Sequence, residues 1–125
     1  MENILFEIKD AVAVITLNRP TVFNSFNRQM ALELQGCLDD CAADDEVRCI
    51  LLTGSGRAFC AGQDLQEISD PVNAPPLSII LGEHFNPIIR RIRNLEKPVV
   101  CAVNGVAAGA GANIALACDI TVAAE

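Results

Sequence analysis

Two stretches carry residue types that can hold an anion without a charged side chain. The first is Arg57-Ala58-Phe59-Cys60-Ala61-Gly62-Gln63-Asp64-Leu65, and the second is Val103-Asn104-Gly105-Val106-Ala107-Ala108-Gly109-Ala110-Gly111. Each follows an apolar run and precedes a helical pattern, so each offers free peptide N–H groups at the positive end of a helix. Small residues let a ligand approach the main chain closely. Facing one another, two such loops can grip a developing oxyanion from two sides; singly, each also reads as an ordinary tight turn.

Other chemistries fit less well. The glycines at 105, 109 and 111 run G-x-x-x-G-x-G rather than the dinucleotide pattern G-x-G-x-x-G, and no Lys-Ser/Thr pair follows a glycine as a P-loop requires. Ser55 stands in G-S-G, not in the G-x-S-x-G of a strand-to-helix nucleophile turn. The six cysteines, at 37, 41, 49, 60, 101 and 118, contain no C-x-x-C pair and read as buried small apolar residues of a reducing compartment. Cys37 and Cys41 stand one helical turn apart, but His84 is the only histidine, so further ligands are lacking and no metal site is expected. Cys60 and Cys101 read as packing residues rather than nucleophiles. His84 is a candidate base, or a structural helical histidine.

A frame of alternating strands and helices must position these loops. Ile4, Phe6 and Ile8 alternate, Asp10-Ala11 makes a turn, and Val12–Leu17 is β-branched and apolar, which predicts a hairpin closed by Asn18-Arg19-Pro20. Asn24 to Asn27 supplies N-cap candidates for a helix whose buried face is Met30, Leu34, Cys37, Leu38 and Cys41, ending at Asp44-Asp45-Glu46. Buried strands follow at Val47–Thr53 and Pro98–Val103 and a further strand at Asp119–Ala124, with a short helix near Leu65–Ile68 and a proline-rich loop over 70–76. Helical spacing from Leu77 to Leu95 contains Pro87, where a kink or break is expected. The alternation predicts a parallel α/β sheet, with ligands at the carboxyl ends of its strands, where both glycine loops lie.

The chain has 125 residues, 51% of them hydrophobic and 20% charged, which suits one domain. A formal charge of −7 argues against nucleic acid as a partner. No apolar run approaches the roughly 20 residues of a bilayer span, and MENILFEIKD lacks a leader pattern, so a cytoplasmic location without membrane contact is expected.

Taken together, the motifs resemble the crotonase, or enoyl-CoA hydratase/isomerase, family. The matching residues are Leu17-Asn18-Arg19-Pro20 with Asn24-Ser25-Phe26, Leu52-Thr53-Gly54 with Ala58 to Leu65, Lys97-Pro98-Val99 with Val103-Asn104-Gly105, and Gly109 through Asp119. Within the family, 48–65 and 102–120 are most similar to the phenylacetate-pathway isomerases that rearrange ring-1,2-epoxyphenylacetyl-CoA. The resemblance implies the N-terminal half of a single ββα-spiral domain, 1–125, and a homotrimer or hexamer for the full-length form. It implies an acyl-CoA thioester as substrate and no separate cofactor. The thioester oxygen would sit between the N–H groups of Gln63 and Ala110, the latter standing where the family usually has glycine. Val22, Phe23, Ser25, Ala61, Gly62, Gln63, Asp64, Leu65 and Gly109 would hold the coenzyme A moiety. Asp64 would orient the loop, or simply cap the next helix. Arg57 would meet a phosphate, or be a solvated turn residue.

The first carboxylate of the family's hydratases falls at Asn113, which is no acid or base near pH 7, and the later carboxylate would lie beyond residue 125. Asp119 matches a structural position at the entrance to a strand. The resemblance therefore implies an acyl-CoA isomerase whose acid–base group lies further along. Enoyl-CoA hydration and a non-catalytic acyl-CoA-binding or oligomerising module are the alternatives.

Overall fold

Alternating apolar residues in Ile4–Lys9 (β1) and Val12–Leu17 (β2) produce an antiparallel pair with Ile4 opposite Leu17 and Lys9 opposite Val12. Asp10 and Ala11 take φ of 52° and 67°, the left-handed turn whose twist matches a two-residue hairpin. The computed structural model describes residues 2–124. Beyond the hairpin the sheet is parallel: Cys49–Gly54 (β3), Val99–Val103 (β5) and Ile120–Ala123 (β7) complete the order β1-β2-β3-β5-β7. Its inward residues, among them Ala13, Ile15, Leu17, Ile50, Leu52 and Val99, are essentially inaccessible. Ile120 and Val122 on β7 remain 55% and 59% exposed.

Arg28–Ala43 (α1) starts where Asn27 accepts the Met30 N–H through its side chain at 2.9 Å, one of the four N-cap candidates. Its 3.6-residue stripe of Met30, Leu34, Cys37, Leu38 and Cys41 is buried against the core. Burial pushes the Cys37 thiol up to about 12 and the Cys41 thiol up to about 11. No disulfide joins any of the six cysteines, of which five are buried and Cys49 is half-buried.

The run 77–94 corrects one expectation. Helix continues through Pro87, and the irregularity lies before it: Leu77–Ile79 (α3) passes into a π-helical segment, Ile80–Phe85, and then Asn86–Asn94 (α4). Proline has no N–H for the carbonyl four residues back. That carbonyl, Glu83 O, instead accepts from Gln35 Nε2 of α1 at 2.8 Å, and His84 O lies 3.1 Å from the same nitrogen. The widened turn and the glutamine together absorb the proline.

A second, two-stranded parallel sheet was not expected from the pattern: Ala58–Cys60 (β4) pairs with Val106–Ala107 (β6). Two asparagines tie it to the main sheet. Asn24 Nδ2 donates to Ser55 O and Ala58 O, both at 2.9 Å, while its Oδ1 accepts the Arg19 N–H at 2.7 Å. Asn104 Nδ2 donates to Gly56 O and Ala58 O, and its Oδ1 accepts the Gly54 N–H at 3.1 Å. Asp119 accepts the Val99 N–H at 2.8 Å, the strand-entry role expected of it. Leu65–Ser69 (α2) and Ala110–Ala117 (α5) follow the two glycine loops. Among the described residues no helix is long and apolar enough to cross a membrane.

Candidate functional site

The Gly62–Asp64 end of the first loop is held by Phe26. Phe26 and Gln63 form a lone parallel bridge in which the Phe26 N–H donates to Gly62 O at 2.7 Å and the Asp64 N–H donates to Phe26 O at 2.8 Å. Ala61 N–H donates to Phe23 O at 3.0 Å. Successive peptide groups of an extended segment face opposite ways, so the Gln63 N–H points away from Phe26. It finds no acceptor among the described residues.

The second loop meets the first across Gly62. Ala108 N–H donates to Cys60 O at 3.1 Å, and Gly111 N–H closes back on Ala108 O at 2.9 Å. Ala110 is the first residue of α5, a position whose N–H has no partner within a helix, and it too lacks an acceptor among the described residues. Gly62 has φ +106°, and a Cβ built on it lies 3.1 Å from Ala108 O and 3.6 Å from Ala110 N. Only glycine takes this conformation readily and leaves the space beside the Ala110 N–H open.

Gly62, Gln63, Gly109, Ala110 and Asn113 share one cavity of about 650 Å³. Its opposite wall is apolar and includes Ile68, Leu77, Ile80, Leu81 and Phe85. The sequence pattern placed 77–85 on a helix without marking it as a wall. The apolar i, i+3, i+4 spacing was the available signal. A second cavity of about 340 Å³ adjoins it, lined by Val22, Phe23, Ser25, Ala61, Gln63, Asp64, Leu65 and Gln66. Ala61, Gln63 and Leu65 border both. Every residue expected to touch the coenzyme moiety therefore lines one cavity or the other. Phe23, which lines the smaller cavity, holds a left-handed φ of 55° without being glycine, which is local strain, and the buried Asn24 beside it takes 56°.

Asp64 takes the capping role and adds an ion pair, without accepting an N–H of the loop itself. Its Oδ1 accepts the Gln66 N–H at 2.8 Å as N-cap of α2, and its Oδ2 pairs with Arg19 Nη2 at 2.9 Å. Arg19 also donates to Ser25 O at 2.6 Å, so this partly buried pair joins the walls of the smaller cavity. Arg57 is exposed in the β3–β4 turn and lines neither cavity.

His84 is 1% exposed and lines neither cavity. Arg28 Nη1 donates to its Nε2 at 3.3 Å, leaving the proton on Nδ1, which has no partner. Burial holds its pKa below the ordinary histidine value, with Arg28 pushing the same way and Glu67 and Glu83 opposing. Burial likewise pushes the Cys60 thiol up to about 11, against the lowering effect of its bond from Gly62 N–H. The Cys101 thiol is raised by its hydrogen bond with Cys118 and then by burial. None of these groups is poised as a nucleophile at neutral pH. Among the described residues no three His, Cys, Asp or Glu side chains cluster as a metal site.

Comparison with known proteins adds a family to this geometry. Residues 7–125 match the family model described as enoyl-CoA hydratase/isomerase. The chain is 52% identical to the 1,2-epoxyphenylacetyl-CoA isomerase of Escherichia coli over 100% of its own length and 48% of that protein. It is 48% identical to a Rhodobacter capsulatus protein named "Probable enoyl-CoA hydratase", covering 98% of this chain and 46% of the other. A solved structure from Pseudomonas aeruginosa, 38% identical, superposes with a TM-score of 0.91 over 99% of this chain and 53% of that one. The chain thus spans about half the length of the curated relatives it matches.

Proposed function

Because the chain belongs to the enoyl-CoA hydratase/isomerase (crotonase) family and takes the α/β fold of its relatives' N-terminal half, we propose that it carries the thioester-activating part of an acyl-CoA isomerase. One observation carries the reading: two unengaged peptide N–H groups, from Gln63 and Ala110, border a single apolar cavity. Charge that develops on a thioester oxygen during enolate formation would be met by both donors beside a largely apolar wall. The acyl group would lie against Ile80, Leu81 and Phe85, and the coenzyme A chain would run through the smaller cavity past Phe23, Ser25 and Leu65.

Isomerisation is favoured over hydration by Asn113, which faces the cavity where a water-activating carboxylate would be needed. The E. coli relative's name supports an aryl-epoxide thioester as substrate. The same reading gives the whole protein a homotrimeric or hexameric assembly, a cytoplasmic location and no cofactor beyond the coenzyme A of its substrate. Asn113 also favours a second reading, acyl-CoA binding without turnover. Rearrangement of a ring-epoxide thioester by the chain would exclude it.

The test is Ala110→Pro. Proline is compatible with the first position of a helix and removes the donor, its ring carbon standing where the proton was. Titrated with cinnamoyl-CoA, the wild-type chain should shift the thioester absorption to the red as its carbonyl is polarised. Ala110→Pro should keep its circular dichroism, lose the shift and bind about tenfold more weakly. An unchanged shift in the variant would refute the role of Ala110.

A further inference from the structure

We propose that Glu67 is a positioning residue for the Gln63 N–H, acting through a carboxylate that ties the oxyanion loop to the first turn of α1. The proposal rests on the isomerase reading above and deepens it. Glu67 stands on α2 and divides its two oxygens between distant segments. Its Oε1 accepts from Gln63 Nε2 at 2.9 Å, and its Oε2 accepts the Arg28 N–H at 2.8 Å. Arg28 begins α1, so that N–H has no partner within the helix, and α1 is anchored by a fully buried face.

The amide of Gln63 cannot turn over without loss. Its Nε2 faces two pure acceptors, Glu67 Oε1 and Asp64 O at 3.2 Å, so the carboxylate fixes which end points where. The consequence is a buried Gln63 Oε1 with no donor. An orphaned buried acceptor is costly, and here it persists because reversal would set oxygen against oxygen at two contacts. The Phe26 bridge holds the peptide joining Gly62 to Gln63 by its carbonyl oxygen, and so sets the direction of the Gln63 N–H, but it leaves the side chain of residue 63 untied. Glu67 supplies a second restraint, on the side-chain end of the same residue.

The same turn of α1 also holds the opposite wall. The Arg28 guanidinium donates to Glu83 Oε1 at 2.8 Å and reaches His84 Nε2, both in the π-helical segment that carries Ile80, Leu81 and Phe85. The oxyanion donor and the acyl wall are thereby referenced to one residue, through its N–H on one side and its side chain on the other.

The experiment compares the wild-type chain with Glu67→Ala, Glu67→Gln and Gln63→Leu, each saturated with cinnamoyl-CoA, reading the red shift, the Kd and the thermal midpoint. Glu67 lines neither cavity, so Glu67→Ala should bind within about threefold of wild type yet lose about half or more of the shift. Gln63→Leu cuts the same tie at its other end and should lose a similar share, with no further loss in the double variant. Glu67→Gln should restore only part of the shift, because its single carbonyl oxygen can accept from the Arg28 N–H or from Gln63 Nε2 but not from both, and turning Gln63 over would set its Oε1 against Asp64 O. A purely structural role would lower the midpoint and leave the saturated shift intact, and that result in Glu67→Ala overturns the proposal. If Glu67→Ala does not fold, a full shift in Gln63→Leu overturns it and a reduced shift upholds it. Absence of the shift in the wild-type chain overturns the isomerase reading itself, and the role of Glu67 with it.

Discussion

Replacing Gly111 with alanine inserts a methyl group where α5 leans on β4. A Cβ at that position lies 2.8 Å from Cys60 Cβ and 2.9 Å from the Cys60 carbonyl carbon, with Cys60 O closer still. Ordinary Cβ contacts begin near 3.4 Å, and Cys60 O is the nearest atom, so the first turn of α5 must retreat by about 1 Å. Overpacking of this kind costs about 1–3 kcal/mol, and contacts with a backbone that cannot swing aside put it toward the upper end. Alanine's better helix propensity returns up to about 1 kcal/mol, leaving a net loss of about 1–2 kcal/mol. At about 4 °C per kcal/mol for a chain of this size, the thermal midpoint should fall by about 4–8 °C. Ala110 precedes Gly111 directly, so its N–H travels with the turn. A misplacement of about 1 Å costs on the order of a hundredfold in rate, so a retreat of that size should remove most of the carbonyl polarisation. Scanning calorimetry and the cinnamoyl-CoA titration read the two consequences separately. A midpoint within about 1 °C of wild type, together with an undiminished red shift, would refute the claim that close packing of α5 on β4 sets the position of the donor.

Two further outcomes follow from buried groups outside the oxyanion pair. Asp64→Ala strands the Arg19 guanidinium and removes the cap of α2; with both side chains partly screened by solvent, the loss should be about 2–4 kcal/mol by urea denaturation, and a loss below about 1 kcal/mol would show the pair to be dispensable. His84 has its pKa depressed on folding, so the unfolded chain binds the proton more readily. Its contribution to stability is present above about pH 6.5 and is lost as pH falls through the folded-state value; the stability difference between wild type and His84→Asn should shrink over that window, and a constant difference would contradict the assignment.

Much of the architecture was legible because burial writes itself into periodicity. The period-2 run of β1, the β-branched β2 and the 3.6-residue stripe of α1 each announced their element and facing side. Asp10 and Ala11 were legible as a turn, though neither is glycine. β4 and β6 were not, since strands of three and two residues contain no period to detect. Pro87 signalled a disturbance but not its place, because the partner that accommodates it, Gln35, lies on another helix. The candidate site was legible as two glycine-containing loops, and the residues expected at it do gather around two adjoining cavities. What sequence could not show was the wiring: Asn24, Asn104 and Glu67 act through long-range bonds to main-chain and amide groups that only the folded chain brings within reach. The i, i+4 spacing of Gln63 and Glu67 was the one local hint.

The bridge at Phe26, the Gly62 loop and the Ala108–Gly111 turn come from three stretches that are remote along the chain, and each is shaped by the other two. A molecule seated among them acts as a reversible cross-link. It can bind only the native state, so its binding free energy is added to folding: at a hundred times its dissociation constant it would contribute about 2.7 kcal/mol. For a chain whose total stability is expected to be of order 5–15 kcal/mol, occupancy of the crevice would then decide a sizeable share of how long the molecule survives heat or proteolysis.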